Sequence, residues 1–100
     1  MSSPRLRVFL SPEAQDDYAD AQSYTLQTYG AAQWEKYESR IAEVLDLLSE
    51  HPHLGSGRDE LPAHYRVFPV EQHRIIFFVT ADAVNVVRIL HRSRDILRHI

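Results

Sequence analysis

Residues 65–91, YRVFPVEQHRIIFFVTADAVNVVRILH, decide the fold of this chain. They contain three runs rich in β-branched and aromatic residues, at Tyr65–Val70, Arg74–Thr80 and Val84–His91, which short polar turns separate. Runs of this composition favour strands, and short turns join strands that lie antiparallel to each other. The segment therefore predicts two consecutive hairpins, that is, a three-stranded antiparallel meander.

Before this segment, the apolar residues recur at the period of a helix rather than that of a strand. A first helix is predicted from Pro12 to about Tyr29. Ser11 suits its N-cap, and Gly30 can take the left-handed conformation that closes it. The short joint leads into a second helix that Pro52 ends, which predicts an antiparallel helical hairpin. The apolar stripe of this second helix consists of Trp34, Tyr37, Ile41, Val44, Leu45 and Leu48.

The remaining segments complete an α+β fold. A short first strand is predicted at Leu6–Leu10, and His51–Leu61, which contains proline and glycine, is predicted as a mobile loop. The order is then N-terminal strand, antiparallel helical hairpin and three-stranded antiparallel meander, with the helices packed on one face of the sheet. The chain has 100 residues, of which 44% are hydrophobic, which predicts a single domain over residues 1–100. The tail, Ser93–Ile100, is open between a last helical turn and a loose end.

The composition argues against several kinds of site. The chain has no cysteine, so it offers no disulfide, no thiol nucleophile and no cysteine-based zinc site. Its close histidine pair, His51 and His53, has no carboxylate at ligand spacing, and the sequence has no glycine-rich phosphate loop or nucleophile elbow. We therefore expect neither a metal nor a cofactor. The N-terminal stretch lacks the apolar core of a signal peptide, and no apolar run reaches the ~18 residues of a membrane span, which predicts a cytoplasmic protein.

Charge is unevenly distributed along the chain. Residues 1–60 carry eleven acidic and five basic side chains, a net of −6, whereas residues 61–100 carry three acidic side chains and six arginines, a net of +3. A basic C-terminal part favours an acidic partner. Simple solvation of a mixed surface is the alternative that charge alone leaves open.

The strand residues separate into two sets, because successive side chains of a strand point to opposite faces of the sheet. If the strands pair without a bulge, the set that is apolar throughout is predicted to face the helices as the core. The other set carries arginines among apolar neighbours, which is typical of a binding surface unless the C-terminal tail folds back over it. The apolar set is Leu6, Val8, Leu10, Tyr65, Val67, Ile75, Phe77, Val79, Val87 and Ile89, and the arginine-bearing set is Arg5, Arg7, Phe9, His64, Arg66, Phe68, Arg74, Ile76, Phe78, Val86, Arg88 and Leu90.

Phosphodiester cleavage is the catalytic hypothesis that the sequence supports best. It requires cations on the phosphate and a positioned acid and base, and His64, Arg66 and Arg88 are predicted to share the arginine-bearing face. Acid and base groups are otherwise scarce on that face. The pattern therefore favours binding over cleavage, and a protein that is not an enzyme.

A second group of polar residues lies at and after the end of the last strand. His91 is predicted to lie on the face opposite Arg88, and Arg92, Arg94 and Asp95 follow the strand directly. These residues are predicted to contact an acidic partner. Alternatively, Asp95 caps a tail helix and pairs with a nearby arginine.

A further set of residues, spread over all the predicted elements, is specific in its order and spacing, above all in the ending ILHRSRD. The set is Ser11, Pro12, Ala14, Asp17, Tyr24, Gly30, Tyr37, His51, Pro52, Gly55, Tyr65, Arg66, His73, Ile75, Phe77, Arg88, Ile89, Leu90, His91, Arg94 and Asp95. In these residues the chain resembles the ParE branch of the RelE/ParE toxin superfamily over nearly its whole length.

The resemblance implies a toxin of a type II toxin–antitoxin pair. It implies a cognate antitoxin, ParD-like or similar, whose C-terminal segment wraps the toxin, and DNA gyrase as the inhibited target. Sister RelE-like members are ribosome-dependent mRNA endonucleases, and Arg66 and Arg88 match their phosphate-binding arginines. The aromatic or second basic group expected at the C-terminal end has no clear counterpart, so direct nucleic-acid binding is expected only under the nuclease alternative. A non-toxic protein-binding module of the same fold is a third hypothesis.

Two surfaces are assigned on this basis. The residues predicted to bind the target are His91, Arg92, Arg94 and Asp95. The residues predicted to bind the antitoxin are Arg66, Phe68, Arg74, Phe78, Val86 and Arg88.

Overall fold

The computed structural model describes residues 5–100 and contains the predicted succession of elements, which confirms the α+β fold class. Residues 1–4 belong to the N-terminal stretch in which no signal-peptide core was found, and they lie outside the described residues. The tail forms a single helical turn, one of its two predicted alternatives. The elements are β1 (Arg7–Leu10), α1 (Pro12–Tyr29), α2 (Ala31–Glu50), β2 (Arg66–Val70), β3 (His73–Val79), β4 (Ala83–His91) and a 3₁₀ turn, η1 (Ile96–Arg98).

The four strands form one mixed sheet in the order β1-β4-β3-β2. β2, β3 and β4 are antiparallel neighbours, as predicted, whereas β1 lies parallel to β4. β1 pairs with β4 only as far as Val86, so the last half of β4 has no strand on that side. The start of α1 takes its place, because Ser11 donates its N–H to the carbonyl of Val86 (2.9 Å) and its hydroxyl to the carbonyl of Val87 (2.7 Å).

The caps predicted for α1 are present. The Ser11 hydroxyl accepts a hydrogen bond from the N–H of Ala14 (3.0 Å), which satisfies one of the free donors at the start of the helix. Gly30, at φ 92°, ends α1 and begins α2 in a conformation that favours glycine. Both helices pack on the same face of the sheet, and the main core lies between the helices and the sheet. This core contains Ala14, Ile41, Val44, Leu48, Val70, Ile75, Phe77, Val84, Val86 and Ile89.

The faces predicted for β2 are wrong. A two-residue turn places Val70 opposite His73, and as a result Phe68 lies opposite Ile75 and packs against the main core. Val67, predicted to be in the main core, lies on the other face opposite Ile76. The register of the hairpin follows from the length of its turn, and a shift of one residue moves every side chain to the opposite face.

The face predicted for Val86 is also wrong. Arg88 pairs with Ile76 whereas Val86 pairs with Phe77, so Val87 is an extra residue that forms a bulge in β4. Val86 therefore faces the helices and is 1% exposed. The prediction assumed pairing without a bulge, and this condition is not met.

The second face of the sheet is partly covered. The tail folds back over it through Ile96, which is the alternative to the open binding face, and Leu61 and Tyr65 of the segment before β2 cover it as well. A second core forms there from Leu61, Val67, Ile76, Leu90 and Ile96, with Tyr65 packed against it.

A candidate partner-binding site at the end of the last strand

Arg66, predicted to lie on the open face, holds the loop between α2 and β2 instead. Its Nη2 donates to the carbonyls of His53 (2.8 Å) and Gly55 (3.0 Å). Gly55, at φ +95°, lies against Phe77, and a Cβ atom there would approach the Phe77 ring to 3.1 Å. The arginine thus secures a loop that is fitted tightly onto the main core.

Arg88 is also engaged within the fold. Its Nε and Nη2 donate to the two carboxylate oxygens of Asp17, both at 2.8 Å, and its Nη1 donates to the carbonyl of His99 (2.8 Å). Asp17 in addition accepts the N–H of Ile89 (2.9 Å), a donor that β1 is too short to reach. Burial alone would raise the pKa of Asp17, but the hydrogen bonds from Arg88 and Ile89 outweigh it and lower that pKa. Arg88 therefore joins α1, β4 and the tail.

The structure does not assemble the predicted phosphodiester-cleaving group. His64 packs its ring against Tyr65 and Phe78, with ring centroids 4.7 and 5.5 Å apart. Arg66 and Arg88 are each bonded to a different part of the fold, so the three side chains do not converge. Their shared placement on one open face was wrong, and their catalytic role stays a prediction.

Arg74 is the third arginine with a set of internal partners. Its Nη2 donates to the carbonyls of Arg92 (2.9 Å) and Arg94 (2.8 Å). These carbonyls belong to residues 91–95, the last residue of β4 and the four residues after it, which we call the exit segment. The N–H of Arg92 donates to the carbonyl of Gln72 (2.7 Å), so both hydrogen-bonding groups of this residue's backbone are held against β3 and the turn before it.

The side chains of the exit segment are exposed. No ion pair involves Arg92 or Arg94 among residues 5–100. His91 accepts at Nδ1 from the N–H of Ser93 (3.1 Å), and the hydroxyl of Ser93 lies 2.8 Å from the same nitrogen. Asp95 accepts from the N–H of Leu97 at the start of η1 (3.1 Å), so its predicted capping role is confirmed. The segment thus presents two free guanidinium groups on a fixed backbone.

An aromatic groove adjoins the exit segment. One hollow of about 370 Å³ lies between α1 and the exit segment, and a second of about 460 Å³ continues along the helices. Tyr24, His73 and His91 line both hollows. Tyr24 and Tyr29 are 60% and 66% exposed, which is unusual for such large rings. The sequence identified Tyr24 and His73 only through the family resemblance, and no periodicity distinguishes a groove residue from a core residue.

His73 is a half-buried titratable group that lines this groove. Its Nδ1 is hydrogen-bonded to the hydroxyl of Tyr37, which also accepts the N–H of Gln72 (3.3 Å). Its ring meets that of His91 edge to face at 5.3 Å. Burial, with a smaller contribution from His91, lowers the pKa of His73 to about 4. Burial likewise raises the pKa of Tyr37, so at neutral pH both groups are uncharged.

Other kinds of site find no support in the described chain. Residues 5–100 contain no cluster of three metal-ligating side chains. Within the same range, no helix is both long enough and apolar enough to cross a membrane.

The fold and the site define a small α+β domain that presents a cationic turn beside an aromatic groove. The chain belongs to the family of ParE toxins: the family model described as "ParE toxin of type II toxin-antitoxin system, parDE" matches residues 8–96. It is thus a ParE-type toxin of a toxin–antitoxin system, which confirms the resemblance found in the sequence.

Two curated relatives carry the same family name. The chain is 30% identical over 95 residues to Toxin ParE1 of Mycobacterium tuberculosis (strain ATCC 25618 / H37Rv), covering 94% of this chain and 97% of that protein. It is 29% identical over 91 residues to Toxin ParE1 of Caulobacter vibrioides, covering 91% and 94%.

Two solved structures share the fold. The chain matches a structure described as the chromosomal ParDE TA system from P. aeruginosa with a TM-score of 0.73 at 19% identity, covering 89% of this chain and 98% of that chain. It matches the YoeB dimer from Staphylococcus aureus with a TM-score of 0.63 at 18% identity, covering 88% and 98%. At these identities the likeness concerns the fold alone.

Proposed function

We propose that this chain inhibits DNA gyrase through the exit segment and is neutralised by a cognate, ParD-like antitoxin in the cytoplasm. One observation carries the proposal: in a member of the ParE family, Arg92 and Arg94 are exposed on a backbone that internal hydrogen bonds hold in place. Exposed cations on a fixed backbone suit recognition of an acidic protein surface, because little conformational entropy is lost on binding.

A supercoiling assay with purified DNA gyrase tests the proposal. The wild-type protein is expected to inhibit supercoiling at micromolar concentration. The double variant Arg92→Ala/Arg94→Ala should be at least about tenfold weaker, as for the loss of charged contacts at an interface. Arg7→Ala removes an exposed arginine of β1, outside the exit segment, and is the matched control. Growth arrest by a wild-type protein that leaves gyrase unaffected would contradict the proposal.

The antitoxin is proposed to contact what remains accessible of the predicted face. Phe78 is half-buried and stacks on Tyr65, with ring centroids 5.7 Å apart, next to the exposed His64. Phe68 and Val86 pack in the main core and Arg66 and Arg88 hold internal partners, so their side chains do not offer this surface. Co-purification with the antitoxin should weaken for Phe78→Ala, whereas Val79→Ala, at the exposed end of the same strand, should leave it unchanged.

The alternative is a ribosome-dependent mRNA endonuclease, and a single observation favours it. His73, His91 and Arg94 line one groove together with Tyr24, which brings imidazoles, a cation and an aromatic ring together. If this function holds, translation reactions will contain mRNA cut at fixed codon positions, and His91→Gln will abolish the cuts. Uncut mRNA in the presence of active toxin would rule the alternative out, and harmless expression without a partner would instead indicate a non-toxic binding module.

A further inference from the structure

Arg74 lies beneath the exit segment and is the link between the sheet and its backbone. It is on β3 opposite Leu90, the next-to-last residue of β4, so its side chain starts one residue short of the strand end. From there a single nitrogen, Nη2, donates to the carbonyls of Arg92 (2.9 Å) and Arg94 (2.8 Å). Both carbonyls are therefore directed toward the sheet.

The other backbone bonds of the segment complete this arrangement. The N–H of Arg94 donates to the carbonyl of His91 (2.8 Å), and the N–H of Ser93 donates to the imidazole of His91 (3.1 Å). These two bonds are local and can form in a turn that is detached from the sheet. The contacts that tie residues 92–94 to the sheet are those made by Arg74 and by the Gln72 carbonyl.

We propose that Arg74 is a positioning residue for the target-binding surface, which rests on the function proposed above. It holds the exit segment in the shape in which the guanidinium groups of Arg92 and Arg94 meet the target, and it makes no contact with the target itself. Removing its donors frees both carbonyls, and the two guanidinium groups then spread over many orientations. The loss appears as weaker inhibition, because the ordering cost shifts to the binding step.

The chain supplies a matched control for this role. Arg66 lies on β2 and, like Arg74, donates from its Nη2 to two loop carbonyls, those of His53 and Gly55. That loop is outside the exit segment. Arg74→Met and Arg66→Met each retain an apolar stem and remove an Nη2 donor shared by two carbonyls, so they test the same chemistry at two places. Arg66→Met also removes the longer bond from Nε to the carbonyl of Leu54 (3.4 Å).

The experiment measures gyrase inhibition and amide hydrogen exchange for wild type, Arg74→Met, Arg74→Lys and Arg66→Met. Arg74→Met is expected to weaken inhibition about tenfold or more and to speed exchange of the Arg92 amide by about the same factor, as for the loss of one or two hydrogen bonds to a charged group. Arg66→Met should leave both quantities within about twofold of wild type. Arg74→Lys keeps the charge and serves if the methionine variant does not fold, with an intermediate effect expected.

The outcomes separate the two hypotheses. Wild-type inhibition by Arg74→Met, or equal losses in the two methionine variants in proportion to their stability, would overturn the positioning role. If wild type itself leaves gyrase unaffected, the proposed target is wrong. The amide exchange of the exit segment then decides whether Arg74 holds it, because this measurement needs no target.

Discussion

The 51–61 loop and the exit segment are held by the same device and serve different ends. In each, the Nη2 of a strand arginine donates to two main-chain carbonyls, Arg66 in the loop and Arg74 in the exit segment. The loop turns apolar residues inward: Leu54 packs on the main core and Leu61 in the second core. The exit segment turns its polar and charged side chains outward. The arginine thus fixes the backbone of a segment. The side chains of that segment decide whether it packs against the core or forms an exposed binding surface.

The largest expected effect concerns Arg88, which binds a carboxylate as well as a main-chain carbonyl. Arg88→Met should lower the free energy of unfolding by about 3 kcal/mol, because it leaves Asp17 partly buried without its cation. The side chains of the pair are 19% and 11% exposed, so solvent screens it little. Urea denaturation measures the loss, with Arg40→Met, which breaks only exposed pairs, expected within about 0.5 kcal/mol of wild type. A loss below about 1 kcal/mol for Arg88→Met would show that the Arg88–Asp17 pair contributes no more than an exposed surface pair.

The next effect tests the packing side of the comparison. Gly55→Ala should cost about 2 kcal/mol of stability, because it adds backbone strain at positive φ and a Cβ atom 3.1 Å from both the Phe77 ring and the Val67 carbonyl. Gly57→Ala, in the same loop, meets nothing within 4 Å and should change stability by less than about 0.5 kcal/mol. Thermal unfolding compares the two, and equal shifts would mean that the loop is not fitted to the core. Gyrase inhibition per folded molecule should be unchanged in both.

Acid should lower the free energy of unfolding through His73, which lies beside the exit segment. Its pKa is lowered from 6.5 to about 4 in the folded protein, so the unfolded chain binds more protons between these values. The contribution of the neutral His73 ring to the free energy of unfolding is fully present above pH 6.5 and is lost as the pH falls toward 4. At pH 5 the loss is about 1–2 kcal/mol. The groups that face His73 are Tyr37, His91 and Asp17. The lowered pKa of Asp17 adds its own loss of stability only as the pH falls below 3.8, the ordinary pKa of an aspartate.

Urea denaturation at several pH values measures the slope of the free energy of unfolding against pH. His73→Gln should flatten it between pH 6.5 and 4 while leaving the loss at lower pH in place. A wild-type slope that survives the substitution would assign the acid sensitivity to another group.

The smallest expected effect concerns the exposed side chains of the exit segment. Arg92→Ala and Arg94→Ala should each change the free energy of unfolding by less than about 0.5 kcal/mol, because their exposed side chains pair with no acid among the described residues. Their carbonyls, which Arg74 holds, remain in both variants. A destabilisation above about 1 kcal/mol would show that these side chains support the fold.

Much of the fold could be predicted from local signals. Ser11 and Gly30 mark the ends of α1 because their chemistry suits a cap and a left-handed residue, and both occur where expected. The strands are visible in their composition. The faces were not predictable, because the two-residue turn before His73 and the bulge at Val87 each shift the pairing by one residue.

The role of the exit segment as a target-binding site stays a prediction, and the structure adds contacts that the sequence did not indicate. The exit segment was identified from its position and charge, and its side chains are exposed as a partner-binding role requires. The role of Arg74 as an internal tether could not be predicted, since an arginine in a strand looks the same whether it binds a partner or a carbonyl of its own chain. The aromatic groove was also missed, because Tyr24 and His73 come from elements that meet only in the folded chain.

The sequence by itself determined the elements, their order and the family, because helix period, caps, turns and residue spacing are local properties of the chain. The tertiary structure alone decided which arginines are free. Arg88 meets Asp17, 71 residues away in the chain, and such a pairing leaves no local signal. A guanidinium binds whichever oxygen the fold brings within reach, so its role depends on packing rather than on its position in the sequence.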